Sequence, residues 1–267
     1  MAVKPRHVYF FYYERSKNLK KLLIRADDLG YSEAINYGLA KAVTDGLVKS
    51  AGIMTNMSAA KHGVSLLSQT DVCLGQHLNI CAGRPLTDPA KIPSITGTDG
   101  QFKTSKEYRS ATVDLVDTQE AILEVEAQYR EFIHLTGFEP RYFGAHAIAS
   151  KNFTKAIQFV ADQHGLKYCG SAFDGSPFKV GGTMVYSNIG SMSPDYDPFI
   201  ALQTAVTHAH DGACDMFVCH PGYLDATILK LSSLTIPRTL EVDMLCDCKT
   251  KEWLSKQDIA LVTFDDL

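Results

Sequence analysis

The sequence predicts an α/β fold, a single-domain (β/α) barrel of the TIM type in preference to an open doubly wound sheet. Three observations lead there. Short apolar runs alternate with amphipathic stretches along most of the chain. About eight such units share 267 residues, a length that suits one barrel domain. Several of the runs end in Asp or His, as barrel strands do where they open onto a catalytic mouth.

Residues 1–19 read as an N-terminal extension, either partly disordered or an extra edge strand. Its "VYFFYY" is too short for a signal-peptide core, and no small-residue cleavage site follows. The domain itself runs over 20–267. Its first strand covers 21–26 and stops at two aspartates in "LLIRADDLGYS". A helix over 32–45 follows, capped by Ser32 and stopped by Gly46. Strands are expected over 48–55 and 72–78. The rhythm then breaks at about 79–117, where "AGRPLTDP" and "SITGTDG" lack periodicity. A loop this long in a compact domain reads as a lid or binding loop.

Regular alternation resumes with a helix over 118–135, whose Ile122, Val125, Tyr129, Phe132 and Ile133 fall at helical spacing. Asp117 and Glu120 form the pattern of a capping box at its start. A strand over 142–146, a helix over 153–164, and strands over 167–172 and 184–189 come next. A helix over 198–208, a strand over 215–220 and a last strand over 259–264 complete the barrel. Trp253 sits at helical spacing in the last helix and reads as core.

Composition excludes several classes. A formal charge of −4 does not suit a nucleic-acid binder, which needs a basic face. The basic cluster Arg15, Lys17, Lys20, Lys21 is short and interrupted, a solvated lead-in to the first strand. No run reaches the roughly 18–20 apolar residues of a membrane span. Seven scattered cysteines contain no pair of CxxC motifs, which argues against a structural zinc site. Four of them lie in strand-like runs and read as buried thiols, and reduced cysteines fit a cytoplasmic protein.

The strand ends carry the chemistry. The first gives Asp27 and Asp28, the third His77 and Asn79, the fourth His146 and the seventh His220. Taken singly, Asp-Asp-x-Gly is an ordinary turn and a strand-end His an ordinary hydrogen-bonded residue. Their convergence on one mouth points to a shared task. Two imidazoles and a carboxylate make an open site for a divalent cation. A second carboxylate then takes a proton from water, and a further histidine gives one to a leaving group. Successive strand residues point oppositely, so the strand must turn at Asp28 for both aspartates to face the mouth, and Gly30 permits it.

These residues stand in a wider set of motifs: "ADDLG" at 26–30, "MTNM" at 54–57, "GQHLN" at 75–79, "HPGYLD" at 220–225, Arg238 with "LEVDML", and the closing "LVTFDDL". In that order and spacing the chain resembles the YdjC-like carbohydrate deacetylases, the family containing chitooligosaccharide deacetylase, almost from end to end. The resemblance implies a metal-dependent hydrolase on a distorted or incomplete (β/α) barrel, removing an acetyl group from an N-acetylated mono- or oligosaccharide. It implies Asp28, His77 and His146 as metal ligands, Asp27 as general base and His220 as proton donor. It implies one divalent ion, zinc or alternatively magnesium, and a homodimer. Asn79, Arg84, Tyr223 and Arg238 are the candidate sugar contacts.

One stretch departs from the family pattern. Relatives carry an acidic residue and a histidine-rich run after the fourth strand; here Gly144 replaces the acid, and Ala147, Ile148 and Ser150 replace further histidines. His146 remains for a three-ligand site. Two other readings follow. One is a different metal hydrolase, acting on a phosphoester or cyclic amide, but a two-metal site needs more ligands than the strand ends supply. The other is a catalytically weakened carbohydrate-binding or regulatory protein on the same scaffold. The altered stretch favours it, and the intact set of base, donor and ligands opposes it.

Overall fold

A computed structural model describes residues 19–170 and 175–267. The expected extension at 1–19 lies almost wholly outside them, as do residues 171–172 of one expected strand. The chain runs β1 (Lys20–Leu29), α1 (Glu33–Thr44), β2 (Ser50–Ile53), α2 (Ala60–Leu67) and β3 (Cys73–Leu78). After the long connection come α3 (Ser105–Ser110), α4 (Thr118–Thr136), β4 (Tyr142–Ala145), α5 (Lys151–His164) and β5 (Lys167–Tyr168). Then follow β6 (Phe178–Val180), β7 (Thr183–Ile189), α6 (Pro198–Thr207) and β8 (Cys214–Cys219). The last elements are α7 (Ala226–Leu231), α8 (Ile236–Cys246), α9 (Cys248–Ser255) and β9 (Ile259–Val262).

The strands form one sheet in the order β5-β4-β3-β2-β1-β8-β7-β6, curled into a nearly closed barrel. All pairs are parallel except the β6–β7 hairpin. Among the described residues no ladder joins β5 to β6. The two edges still approach: a Cβ added at Gly170 would lie 3.0 Å from the Phe178 Cβ. The expected barrel is therefore present and incomplete at one seam. Both faces of such strands are covered, which is why β1 is buried from Leu22 to Leu29 without alternation.

The expected last strand does not take a place in the ring. β9 lies beside the first half of β1, pairing Ile259–Val262 with Lys20–Leu23. Phe264 follows it and stacks on Tyr142 at 3.7 Å between ring centroids. Together with Leu23, Cys73, Val185, Cys214 and Met216 these rings fill the barrel interior. Outside the sheet, Leu39 and Val43 of α1, Leu202 of α6 and Leu245 of α8 pack on Leu22, Ile24 and Ala51, with Trp253 half-buried against them.

The long connection is built, not loose. Ile92, Ile95, Phe102 and Val116 are buried with Val125 of α4 and Ile157 of α5. Asp117 caps α4, accepting from the N–H groups of Gln119 and Glu120. The reciprocal half of the expected capping box is absent, because the Glu120 carboxylate accepts the Ser94 N–H instead, at 2.7 Å. Glu124 accepts the N–H groups of Leu86 and Thr87 at 3.1 and 2.9 Å. Two carboxylates of one helix thus strap the connection down, and Ser105 and Arg109 of α3 reach the barrel mouth. Among the described residues no helix is long and apolar enough to cross a membrane.

Candidate metal centre and active site

The end of β1 departs from regular strand geometry at its two aspartates. Asp28 has φ +77°, a left-handed conformation unusual for a residue with a side chain. Pairing of β1 with β2 shifts register between Ala26 and Leu29. Regular alternation would send the two aspartates to opposite faces; the irregularity turns Asp28 back beside Asp27. Gly30, at φ +97°, completes the turn, and its N–H donates to Asn36 Oδ1 at 2.6 Å.

Asp28 meets His77 from β3 and His146 from just past β4. Its Oδ1 lies 3.3 Å from His77 Nε2 and 3.0 Å from His146 Nδ1. The two imidazole nitrogens are 3.1 Å apart. Donor atoms sharing one cation through bonds of about 2.1 Å sit about 3.0–3.4 Å apart, so this triangle fits a single divalent ion. Asp28 Oδ1 is buried and lacks a satisfying hydrogen bond, another sign that a cation belongs there. Burial pushes the Asp28 carboxyl up, but His146 and Arg238 beside it hold it well below the usual carboxylate range. The same contact lifts His146, against its own burial, to about 10. Among the described residues these three form the one group of His, Cys, Asp or Glu spaced to hold an ion.

Asp27 stands next to this triangle. Its Oδ2 is 2.7 Å from Arg25 Nη2, a buried pair on alternate residues of one strand face. Its Oδ1 has no hydrogen-bond partner and lies 3.7 Å from His77 Nδ1. Gly52 gives it room: a Cβ there would sit 2.9 Å from Asp27 Oδ1 and 3.0 Å from the His77 Cβ. His220 enters from the end of β8. Its N–H donates to Glu241 Oε2 at 2.6 Å, its carbonyl accepts from Arg238 Nη1 at 3.3 Å, and its Nδ1 lies 3.3 Å from Ser191 Oγ. Burial lowers the ring's pKa to about 4, although the Asp28 and Asp27 carboxylates favour its charged form.

A cavity of about 490 Å³ joins these groups. Asp27, Asp28, His77, His146, His220 and Arg238 all line it, and Ile189, Met192, Met216, Val218 and Leu231 form an apolar wall. The expected sugar contacts are placed differently. Arg238 is buried at the cavity wall and donates from Nη2 to Asp28 Oδ2 at 2.7 Å, so it holds that carboxylate. Asn79 is buried, its Nδ2 donating to Asn56 Oδ1 and the Ala82 carbonyl and its Oδ1 accepting from the N–H groups of Cys81 and Ala82. Arg84 is exposed and donates to the Asp99 carbonyl at 3.2 Å, and neither it nor the exposed Tyr223 lines the cavity.

The divergent stretch has structural work of its own. A Cβ added at Gly144 would lie 3.4 Å from Arg25 Nη1. Ala147 takes a left-handed φ of +52°, Ile148 is buried, and Ser150 caps α5 while donating to Asp114 at 2.8 Å. Sequence reasoning did not single out Arg25, Ser191 or Glu241. Arg25 had a signal, two residues before Asp27. Glu241 also had one, three residues after Arg238 on a helix. Ser191 had none.

The sequence model of the YdjC-like protein family matches residues 21–256. Carbohydrate deacetylase 2 of Listeria innocua is 28% identical over 260 residues, covering 92% of this chain and 98% of its own. A carbohydrate deacetylase of Clostridium beijerinckii is 27% identical over 259 residues, covering 92% and 100%. Among solved structures, an Enterococcus faecalis protein provisionally named for cellobiose-phosphate cleavage superposes with a TM-score of 0.79 at 20% identity, over 93% of this chain and 98% of its own. That likeness is one of fold.

Proposed function

The chain belongs to the YdjC-like protein family, and from that premise we propose that it is a metal-dependent carbohydrate deacetylase. The reaction is hydrolysis of the acetamido group of an N-acetylated mono- or oligosaccharide, with chitooligosaccharides as the expected class. The observation that carries the reading is the triangle of Asp28, His77 and His146 beside the unpartnered oxygen of Asp27, with His220 lining the same cavity. The relatives named carbohydrate deacetylases support it across nearly the whole chain.

Asp28, His77 and His146 would hold one divalent ion, and two imidazoles favour zinc over magnesium. Such an ion, when bound, acidifies water and polarises a carbonyl. Asp27 takes the proton from the attacking water at its free Oδ1, while Arg25 keeps Oδ2 and fixes the carboxylate's orientation. His220 delivers a proton to the departing amine. At neutral pH its ring rests uncharged, so the proton it passes on must first reach it, and the one that Asp27 removes from the attacking water balances the transfer.

The test is acetate release from N,N′-diacetylchitobiose by protein stripped of metal and then reloaded with zinc or magnesium. Acetate that depends on the added ion is the expected result. No acetate with either ion, from protein binding one ion per chain, would remove this substrate class while leaving the site intact.

A further inference from the structure

Two side chains of α8 grip the same backbone unit from opposite sides. Glu241 Oε2 accepts the His220 N–H at 2.6 Å, and Arg238 donates to the His220 carbonyl at 3.3 Å. Glu241 has a second task. Its Oε1 accepts from the Tyr196 hydroxyl at 2.8 Å. Tyr196 belongs to the connection between β7 and α6, whose residues 192–195 are exposed. Its ring also packs near Gly190, where an added Cβ would lie 3.3 Å away. Ser191 in that connection is buried, and its hydroxyl meets the His220 ring at Nδ1. One buried carboxylate therefore links the backbone of His220 to the segment that contacts its ring.

We propose that Glu241 is a positioning residue for His220, acting directly on its backbone and, through Tyr196, on the placement of Ser191 against the ring. The proposal rests on the reading of His220 as the proton donor. Ser191 occupies Nδ1 and so fixes which ring nitrogen is left for the substrate. Tyr196 keeps an otherwise exposed connection from carrying Ser191 away. Glu241 is too buried to touch substrate.

The experiment uses the full-length zinc-loaded protein, with Ser191→Ala, Tyr196→Phe and the double variant. Each single variant is expected to lower kcat about tenfold with KM within about twofold. The double variant should be no worse than Ser191→Ala alone, because both changes break one linkage. Imidazole 15N spectra supply a readout that does not depend on turnover: the His220 nitrogen shifts should change in both single variants. An unchanged His220 signature in both, or fully additive losses in kcat, would overturn the proposal. His220→Ala at wild-type activity would instead remove the donor role, and the ring signature would still report whether Ser191 and Tyr196 hold the ring.

Discussion

Asp28 and Arg238, 210 positions apart in sequence, meet at 2.7 Å with both side chains almost fully enclosed. One oxygen of Asp28 belongs to Arg238; the other faces His77 and His146. Arg238 thereby fixes which oxygen is offered to a cation, and it also holds the carbonyl of His220. A single guanidinium joins Asp28 to the His220 side of the cavity.

Arg238→Lys is expected to weaken zinc binding by about 10–100-fold, since a point charge cannot serve Asp28 and the His220 carbonyl in one plane. Competition against a chromogenic chelator measures this. Arg238→Met should in addition lower the melting temperature, because it leaves a buried carboxylate without its partner.

Asp27→Asn should abolish turnover, by about 10²–10⁴-fold, while leaving zinc affinity close to that of the parent. Arg25→Met should give a smaller loss in kcat, because the carboxylate survives but loses its fixed orientation. Paired measurements of kcat and zinc affinity on both variants separate the two effects. Near-parental turnover in Asp27→Asn would take the base role from this residue.

Gly52→Ala tests how tightly the site is packed. The new methyl would meet Asp27 Oδ1 at 2.9 Å and the His77 Cβ at 3.0 Å. Both neighbours are buried, so the expected cost is about 1–3 kcal/mol of stability. Activity should fall further than stability predicts, because the displaced atoms belong to the site. Thermal melts alongside acetate assays give the comparison.

Glu241 gives a pH dependence with a definite sign. Burial raises its pKa from 4.5 to about 7, against the hydrogen bonds from His220 and Tyr196. Between those values the folded protein holds a proton that the unfolded chain has released. Its stabilising contribution is therefore full below about 4.5 and is lost as pH rises through about 7. Glu241→Gln mimics the protonated form, so its melting temperature relative to the parent should climb across that window. A difference that stays constant with pH would show that Glu241 does not titrate there.

Much of this arrangement was legible in the sequence, and the limits have physical causes. The barrel could be read because parallel strands covered on both faces give short apolar runs without alternation, as in "LLI" at 22–24. The turn at Asp28 could be read because adjacent carboxylates on one strand cannot otherwise share a mouth, and the φ of +77° bears that out. The seam could not be read, since β6 is three residues long and carries no periodicity. β9 pairs with β1 off the ring, a placement no apolar run announces, since such a run does not specify its neighbour. Arg238 and Asn79 drew attention as polar residues in motifs, yet whether such a residue faces ligand or braces a neighbour depends on contacts made across the fold. Ser191 and Glu241 depend wholly on such contacts.

β1 has a consequence for the order in which the molecule is made. Its Lys20–Leu23 pairs with Ile259–Val262, and its Lys21–Ala26 pairs with Cys214–Cys219. The strand that carries both aspartates leaves the ribosome early and waits for partners that arrive late. At about 5–20 residues per second that wait lasts roughly 10–50 s. During it, β2 can pair with Arg25–Leu29, but the edge that β8 will take stays open to other nascent chains, a hazard that chaperones cover. On the proposed metal-dependent reading, ion capture is then a late event in the life of each new chain, and chains halted before residue 259 are expected to retain no zinc on a desalting column.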